Sequence, residues 1–270
     1  HADLTQAHDG SWWMVFLGIR PVWGTHHLGR ETFLAPVTWD EDGWPVVNGG
    51  RPIEPEMDAD CLPPHPWPPE PVRDDFDEAD LRHCWNFRRN PDPDLWSLTE
   101  RPGHLRLHGS ATTLDDVGAP AFVGRRQRHF DCRAETLLEF EPRRDGDEAG
   151  LTALMNERHH YEIALTRRGG ERRIIVRRCI GDLQKVVADR PAGTGPLRLQ
   201  IRAEPRTYAF GCARAGGPIE TLVEGAARYL STEVAAGFTG VYFAMYATGN
   251  GRPCGAPADF DWFEYEPSEE

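Results

Sequence analysis

Two arginines set among aromatics are the first residues of this chain that could do chemistry. Arg20 and Arg30 fall in the stretch Trp12–Pro45, with Trp12, Trp13, Phe16, Phe33, Trp39 and Trp44 around them. A guanidinium presents its donors as a planar fork and stays charged, so it can hold two adjacent hydroxyls or acidify a nearby carboxyl. That composition is unusual for a mere core. It reads as the wall of an active site, and the question is whether catalytic groups accompany it.

Other groups with chemical potential lie further along. Asp74, Asp75, Asp259 and Asp261 sit near the two ends of the stretch 73–270. Clustered carboxylates would suit calcium, which takes several hard oxygen ligands, whereas solvated turn aspartates are the ordinary alternative. Arg125, Arg126 and Gln127 follow a strand and could line a concave sheet face; pairing with the many carboxylates is the plainer reading. Trp85, Trp96 and Trp262 could stack on sugar rings, although the area each would bury favours a core position.

Composition narrows the partners. The 270 residues carry a formal net charge of -13, which argues against nucleic acid, since phosphate binding needs a concentrated basic surface. Lys185 is the only lysine, a bias that base composition explains as readily as a need for bidentate arginine. The six cysteines, Cys61, Cys84, Cys132, Cys179, Cys212 and Cys254, include no C-x-x-C pair. They read as small apolar fillers in a reduced, cytoplasmic protein and make a zinc site unexpected, with secretion left open. No apolar run approaches the length of a membrane span. The chain starts without Met, and a start inside something larger is expected.

The elements that must position these groups are strands. Trp12–Leu17 is a nearly unbroken apolar run, expected to be a strand buried on both faces. Glu31–Trp39 comes next, closed by a turn at Asp42-Gly43. Residues 1–56 thus read as an orphaned piece of a larger sheet structure. Within 57–72, Pro63, Pro64, Pro66, Pro68, Pro69 and Pro71 predict a semi-rigid extended spacer, with Trp67 holding it against a domain surface. From 73 to 270 the texture is β. Leu197, Leu199 and Ile201 alternate with Arg198, Gln200 and Arg202, and Tyr161, Ile163 and Leu165 alternate with Glu162 and Ala164; each predicts a strand with one buried face. Roughly ten such strands punctuated by glycine turns predict a β-sandwich or jelly roll. Only Ala226–Ala236 reads as helical.

The order of motifs resembles the C-terminal part of family 43 glycoside hydrolases of the β-xylosidase type. The first group comprises His1-Ala-Asp-Leu, Trp12-Trp13, Arg20-Pro21, Leu28-Gly29-Arg30-Glu31-Thr32 and Asp42-Gly43-Trp44-Pro45. It is similar to the closing blade of that family's five-bladed β-propeller. The second runs through Asp74-Asp75-Phe76, Trp85-Asn86-Phe87-Arg88, Arg101-Pro102-Gly103, Arg125-Arg126-Gln127, Ala149-Gly150-Leu151, His160-Tyr161, Gly237-Phe238-Thr239-Gly240 and Asp259-Phe260-Asp261-Trp262-Phe263. It is similar to the family's concanavalin-like β-sandwich.

The resemblance implies an all-β fold and an inverting hydrolysis of xylose- or arabinose-containing oligosaccharides, with one carboxylic acid protonating the leaving oxygen and one carboxylate activating water. It also implies that the base, the pKa-modulating aspartate and the acid come from earlier blades, which this sequence does not contain, so the chain alone is expected to be inactive. Arg30 corresponds to the family arginine that reaches sugar hydroxyls, with a salt bridge to Glu31 as the alternative. For Arg20 a structural pair is expected. His1 corresponds to a histidine near the propeller axis. Phe238 corresponds to a sandwich-loop aromatic that narrows the pocket, or else begins the strand Val241–Tyr246 and packs in the core. No cofactor is required; a structural calcium on the four aspartates is the ion expected, and a cation beside His1, as in some family members, is the weaker alternative. Other readings are a stand-alone carbohydrate-binding module and a homo-oligomerisation domain.

Overall fold

The structure is a computed structural model and describes residues 1–59 and 63–268; Cys61, within the spacer 57–72, lies outside them. The chain forms two compact units that do not follow it in a single cut. Residues 1–20 and 30–70 belong to the first, while Pro21–Gly29 groups with the long C-terminal unit.

The first unit is a four-stranded antiparallel sheet of β1 (Ala2–Gln6), β2 (Trp12–Gly18), β3 (Glu31–Trp39) and β4 (Pro45–Val47), in chain order. Phe16 stacks on Phe33 across β2 and β3 at 5.8 Å, and Trp12 meets Trp39 edge-on at 5.5 Å. Gly18 lies under the Phe33 ring, where an added Cβ would come within 2.6 Å of it. The expectation that Trp12–Leu17 is buried on both faces is corrected: Trp13 alone is buried there, and Val15 and Leu17 are exposed. An apolar run reports what a strand can bury, and the neighbours that would cover it are a separate matter.

The second unit opens with the short strands β5 (Arg73–Asp74), β6 (Trp96–Ser97) and β7 (Leu105–Leu107). The longer strands are β8 (Ala121–Arg126), β9 (Cys132–Glu139), β10 (Glu148–Asn156), β11 (His159–Arg168), β12 (Glu171–Ile180), β13 (Leu183–Pro191), β14 (Leu197–Glu204), β15 (Thr207–Arg214), β16 (Glu220–Ala226), β17 (Tyr242–Thr248) and β18 (Ala258–Pro267). They form two antiparallel sheets, ordered β13-β12-β11-β10-β17-β8 and β16-β15-β14-β9-β18-β7-β6, with β5 added against β18. Ile163, Leu165 and Val176 of the first sheet share one core with Leu199, Ile201 and Phe210 of the second, as facing inner layers of a sandwich do.

The alternation in β14 is borne out, with Leu197, Leu199 and Ile201 buried. In β11 it misleads, because Glu162 and Ala164 are as buried as Tyr161 and Ile163. A second apolar layer covers that outer face, built from Leu114, Phe122, Leu154, Ala164, Ile175, Ala244 and Tyr246. The predicted helix is two short turns, a 3-10 turn at Ala227–Leu230 and α1 (Thr232–Ala235). Trp67 is 83 % exposed and meets only the His65 ring edge-on among the ring contacts, so the expected seat of the spacer on a domain surface is corrected. Cys132, Cys179, Cys212 and Cys254 are free thiols, and burial pushes Cys132 up to about 12.

Candidate functional site

Arg30 and Phe238 are best approached through the backbone next to each. Gly29 and Gly240 adopt positive φ, +76° in both, and their backbones touch. A Cβ at Gly240 would lie 2.2 Å from the Leu28 carbonyl oxygen, and one at Gly29 would lie 2.5 Å from the Gly240 nitrogen. Only glycine combines that conformation with so close an approach.

The segment ending at Gly29 is strapped to the sandwich along its length. The Val241 amide donates to the His27 carbonyl at 2.8 Å, and the Thr232 amide to the His26 carbonyl at 3.1 Å. Arg126 donates through Nη2 to the Leu28 carbonyl at 2.6 Å, so the chemistry it shows is backbone fixation. Glu233 of α1 accepts from the His26 amide at 2.9 Å and meets His26 Nδ1 at 2.5 Å. Burial would raise Glu233, but these His26 contacts hold it below the usual carboxylate range.

His27 and Leu28 are each 1 % exposed. The His27 ring meets Phe130 and Tyr208 edge-on at 5.4 and 5.9 Å, and its Nε2 has no hydrogen-bond partner among the described residues. Desolvation, with a contribution from neighbouring His26, lowers His27 to about 4, so the ring is neutral at pH 7. Below the strap, Tyr208 donates to the buried Gln127 at 2.7 Å, and Arg125 lies over the Tyr265 ring at 4.4 Å.

Phe238 stands on the loop this strap secures. It is 64 % exposed and precedes β17, which begins at Tyr242. Of its two sequence readings, the core position is corrected. Arg30 is half-buried in the first unit, one residue beyond the strap. Glu31 is held by Arg20, through Nε and Nη2 at 3.0 Å each, which bears out the structural pair expected for Arg20. That pair borders a cavity of 560 Å³ with Trp13, Phe33, Glu54, Pro55, Glu56 and Met57. His1 is exposed, and its carbonyl accepts from Leu17 at 3.3 Å.

The four aspartates are not brought together, and the calcium site expected from them is corrected. Asp74 lies opposite Phe263 on β18, roughly 13 Å along that strand from Asp259 at the usual rise per residue. Its carboxylate accepts from Trp85 Nε1 at 2.8 Å and from the Phe76 amide at 3.1 Å. Arg101 and Arg106 converge on Asp259 at 2.7–2.9 Å; burial would raise it, and the two guanidiniums hold it low. Asp75 pairs with Arg73 at 2.6 Å, and Asp261 lies 3.8 Å from His104. Arg101 and Arg106, remote in sequence, supply the positive charge at Asp259, and Arg73, two residues away, supplies it at Asp75.

A set of polar residues, of which motif order singles out only His160, lies under the second apolar layer. Arg177 bonds Glu148 at 2.6 and 3.2 Å and also Glu162, while Tyr246 donates to Glu148 at 2.9 Å. His160 meets Glu162 through Nδ1 at 2.6 Å and Asp115 through Nε2 at 3.0 Å. Burial alone would lower His160, but the carboxylates on either side raise it well above the ordinary histidine value. The bond to His160 takes Asp115 down to about 2. The signal in the sequence is parity: His160 and Glu162, like Arg177 and Cys179, are two apart and share one strand face.

The comparisons with known proteins bear on the whole chain. Residues 73–266 match the family model described as the beta xylosidase C-terminal concanavalin A-like domain, and residues 1–45 match glycosyl hydrolases family 43. A non-reducing end alpha-L-arabinofuranosidase of Bacteroides ovatus is 46 % identical over 268 residues, covering 98 % of this chain and 50 % of the relative. A xylosidase/arabinosidase of Butyrivibrio fibrisolvens is 31 % identical over 270 residues, covering 98 % and 52 %. The solved structure of a Bacteroides ovatus xyloglucan-locus GH43B protein superposes with a TM-score of 0.94 at 45 % identity, covering 99 % of this chain and 53 % of that one. The chain spans about half the length of the curated relatives it matches.

Proposed function

The chain belongs to glycoside hydrolase family 43, and on that premise we propose that it is the C-terminal portion of an inverting hydrolase acting on xylose- or arabinose-containing oligosaccharides. The observation that carries this reading is the strap. The sandwich grips the segment that leads directly into Arg30, through Gly29 against Gly240, and the same contact secures the loop bearing exposed Phe238. By the family resemblance, Arg30 would reach sugar hydroxyls with its fork and His1 would belong to the same blade, while Phe238 would offer an apolar edge to a sugar ring. The general acid and base would come from blades outside this sequence. The role of the sandwich is therefore support and shaping of a pocket rather than chemistry.

Relatives named as an arabinofuranosidase and as a xylosidase/arabinosidase support that substrate class. The purified 270-residue chain is expected to leave aryl β-D-xylosides and aryl α-L-arabinofuranosides uncleaved while folded by circular dichroism. Turnover by the pure chain that disappears in Arg30→Ala would overturn the division of labour. In the longer protein, Phe238→Ala is expected to raise KM for oligosaccharides more than for an aryl glycoside. An unchanged KM for both would remove Phe238 from the pocket.

A further inference from the structure

We propose that Asp115, His160 and Cys179 form a binding site for a thiophilic divalent cation, of which zinc is the representative. A carboxylate oxygen, an imidazole nitrogen and the Cys179 sulfur all lie within 4.8 Å of one another. No other such group of three occurs among the described residues. Zinc bonds of about 2.0–2.3 Å place tetrahedral ligands about 3–4 Å apart, so a small inward adjustment of these side chains suffices.

Each ligand is placed by a different part of the fold. His160 and Cys179 are direct cross-strand partners on β11 and β12. Asp115 comes from the segment between β7 and β8. Leu114, next to it, is anchored in the outer apolar layer, and Arg88 donates to the Leu114 and Asp116 carbonyls at 2.7 Å each. Gln184 of β13 fixes the other Asp115 oxygen at 2.8 Å.

A second, independent observation is the orientation of the imidazole. Glu162 is wholly buried and engages Nδ1, and Arg177 in turn holds Glu162. A carboxylate on the far nitrogen is the arrangement that fixes tautomer and ring plane in metal-bound histidines, and it turns Nε2 toward Asp115. Buried His160 and Cys179 with half-exposed Asp115 leave one side open to solvent, for entry and for a water as fourth ligand. A thiolate and an imidazole with one carboxylate select zinc-like ions over calcium or magnesium, which require oxygen sets. Binding replaces the proton between Nε2 and Asp115 and the thiol proton, so one dication enters and two protons leave. Its structural effect is to clip the Asp115 segment to the sheet.

The test titrates the chelator-stripped 270-residue chain with cobalt(II) as a spectroscopic stand-in for zinc. One equivalent is expected to give a thiolate-to-cobalt charge-transfer band together with tetrahedral d–d absorption, both abolished by zinc. Cys179→Ser is expected to lose the charge-transfer band. Asp115→Asn, which replaces a charged ligand by a neutral one, is expected to weaken binding by about tenfold or more, at least the loss seen when an outer-shell partner is removed. Absence of the band in the wild-type chain, or its full retention in Cys179→Ser, would overturn the site; the wild-type measurement decides even if a variant folds poorly.

Discussion

Two buried histidines carry opposite linkage, and the sign at each follows from its neighbours. His27 sits between aromatic rings and is lowered to about 4 by desolvation, whereas its unfolded value is near 6.5. Between those values the unfolded chain binds the extra proton, so acid favours unfolding and stability falls as pH drops. The full effect is of order 3 kcal/mol, from about 1.4 kcal/mol per pH unit over the interval. His159 is also lowered by burial and adds to the same slope. His160 is raised, so below 6.5 it is protonated in both states and contributes no slope there; its stabilisation is lost only as pH rises through its native value. Urea unfolding between pH 7 and pH 5 is expected to show stability declining with acidity. In His27→Leu, which keeps an apolar body between the rings, that decline should shrink markedly; an equal slope in the variant would mean the His27 proton is not the cause.

At the scale of elements, the strap depends on two glycines that meet from distant parts of the chain. Gly240→Ala sets a Cβ 2.2 Å from the Leu28 oxygen and 2.4 Å from its carbon, with φ at +76°. Gly169 makes a control, since its φ is +58° but nothing lies within 4 Å of a Cβ there. Gly169→Ala should cost only left-handed strain, about 1–2 kcal/mol, while Gly240→Ala should cost more by displacing the strap. Melting temperatures of the two variants compare these directly, and equal losses would deny the close approach any weight. These contacts also mark what sequence could convey. The alternation of β14 and the glycine-punctuated strands were legible because both are local. Glu162 looked solvated by the same alternation, because the layer covering it comes from Leu114, Phe122 and Tyr246, which strand periodicity in β11 cannot report. The calcium expectation failed for a similar reason, since Arg101 and Arg106 reach Asp259 across more than 150 residues. Arg30 and Phe238 are singled out by motif order alone, because no local periodicity or spacing marks either of them.

For the whole molecule, the division into units makes a demand that the run of the chain hides. The C-terminal unit is more than the residues beyond the proline-rich spacer, because it takes Pro21–Gly29 from within the first sheet. Removing residues 1–70 would strip away His26, His27 and Leu28, leave the Val241 and Thr232 amides without their acceptors, and expose the apolar seat of Leu28. Burial of one such leucine contributes about 1.5–3 kcal/mol, and an amide left without its acceptor in a buried site costs about 1–3 kcal/mol. A chain of residues 71–270 is therefore expected to fold less stably than the whole, with a lower melting temperature and greater binding of a hydrophobic dye. A synthetic peptide spanning residues 21–30 should restore part of the loss in a concentration-dependent way, because it binds the native state alone. If residues 71–270 melt as high as the 270-residue chain and ignore the peptide, the strap is not an integral part of the sandwich. If rescue occurs, residues 21–29 are part of the sandwich's own fold although they precede the proline-rich spacer in the chain.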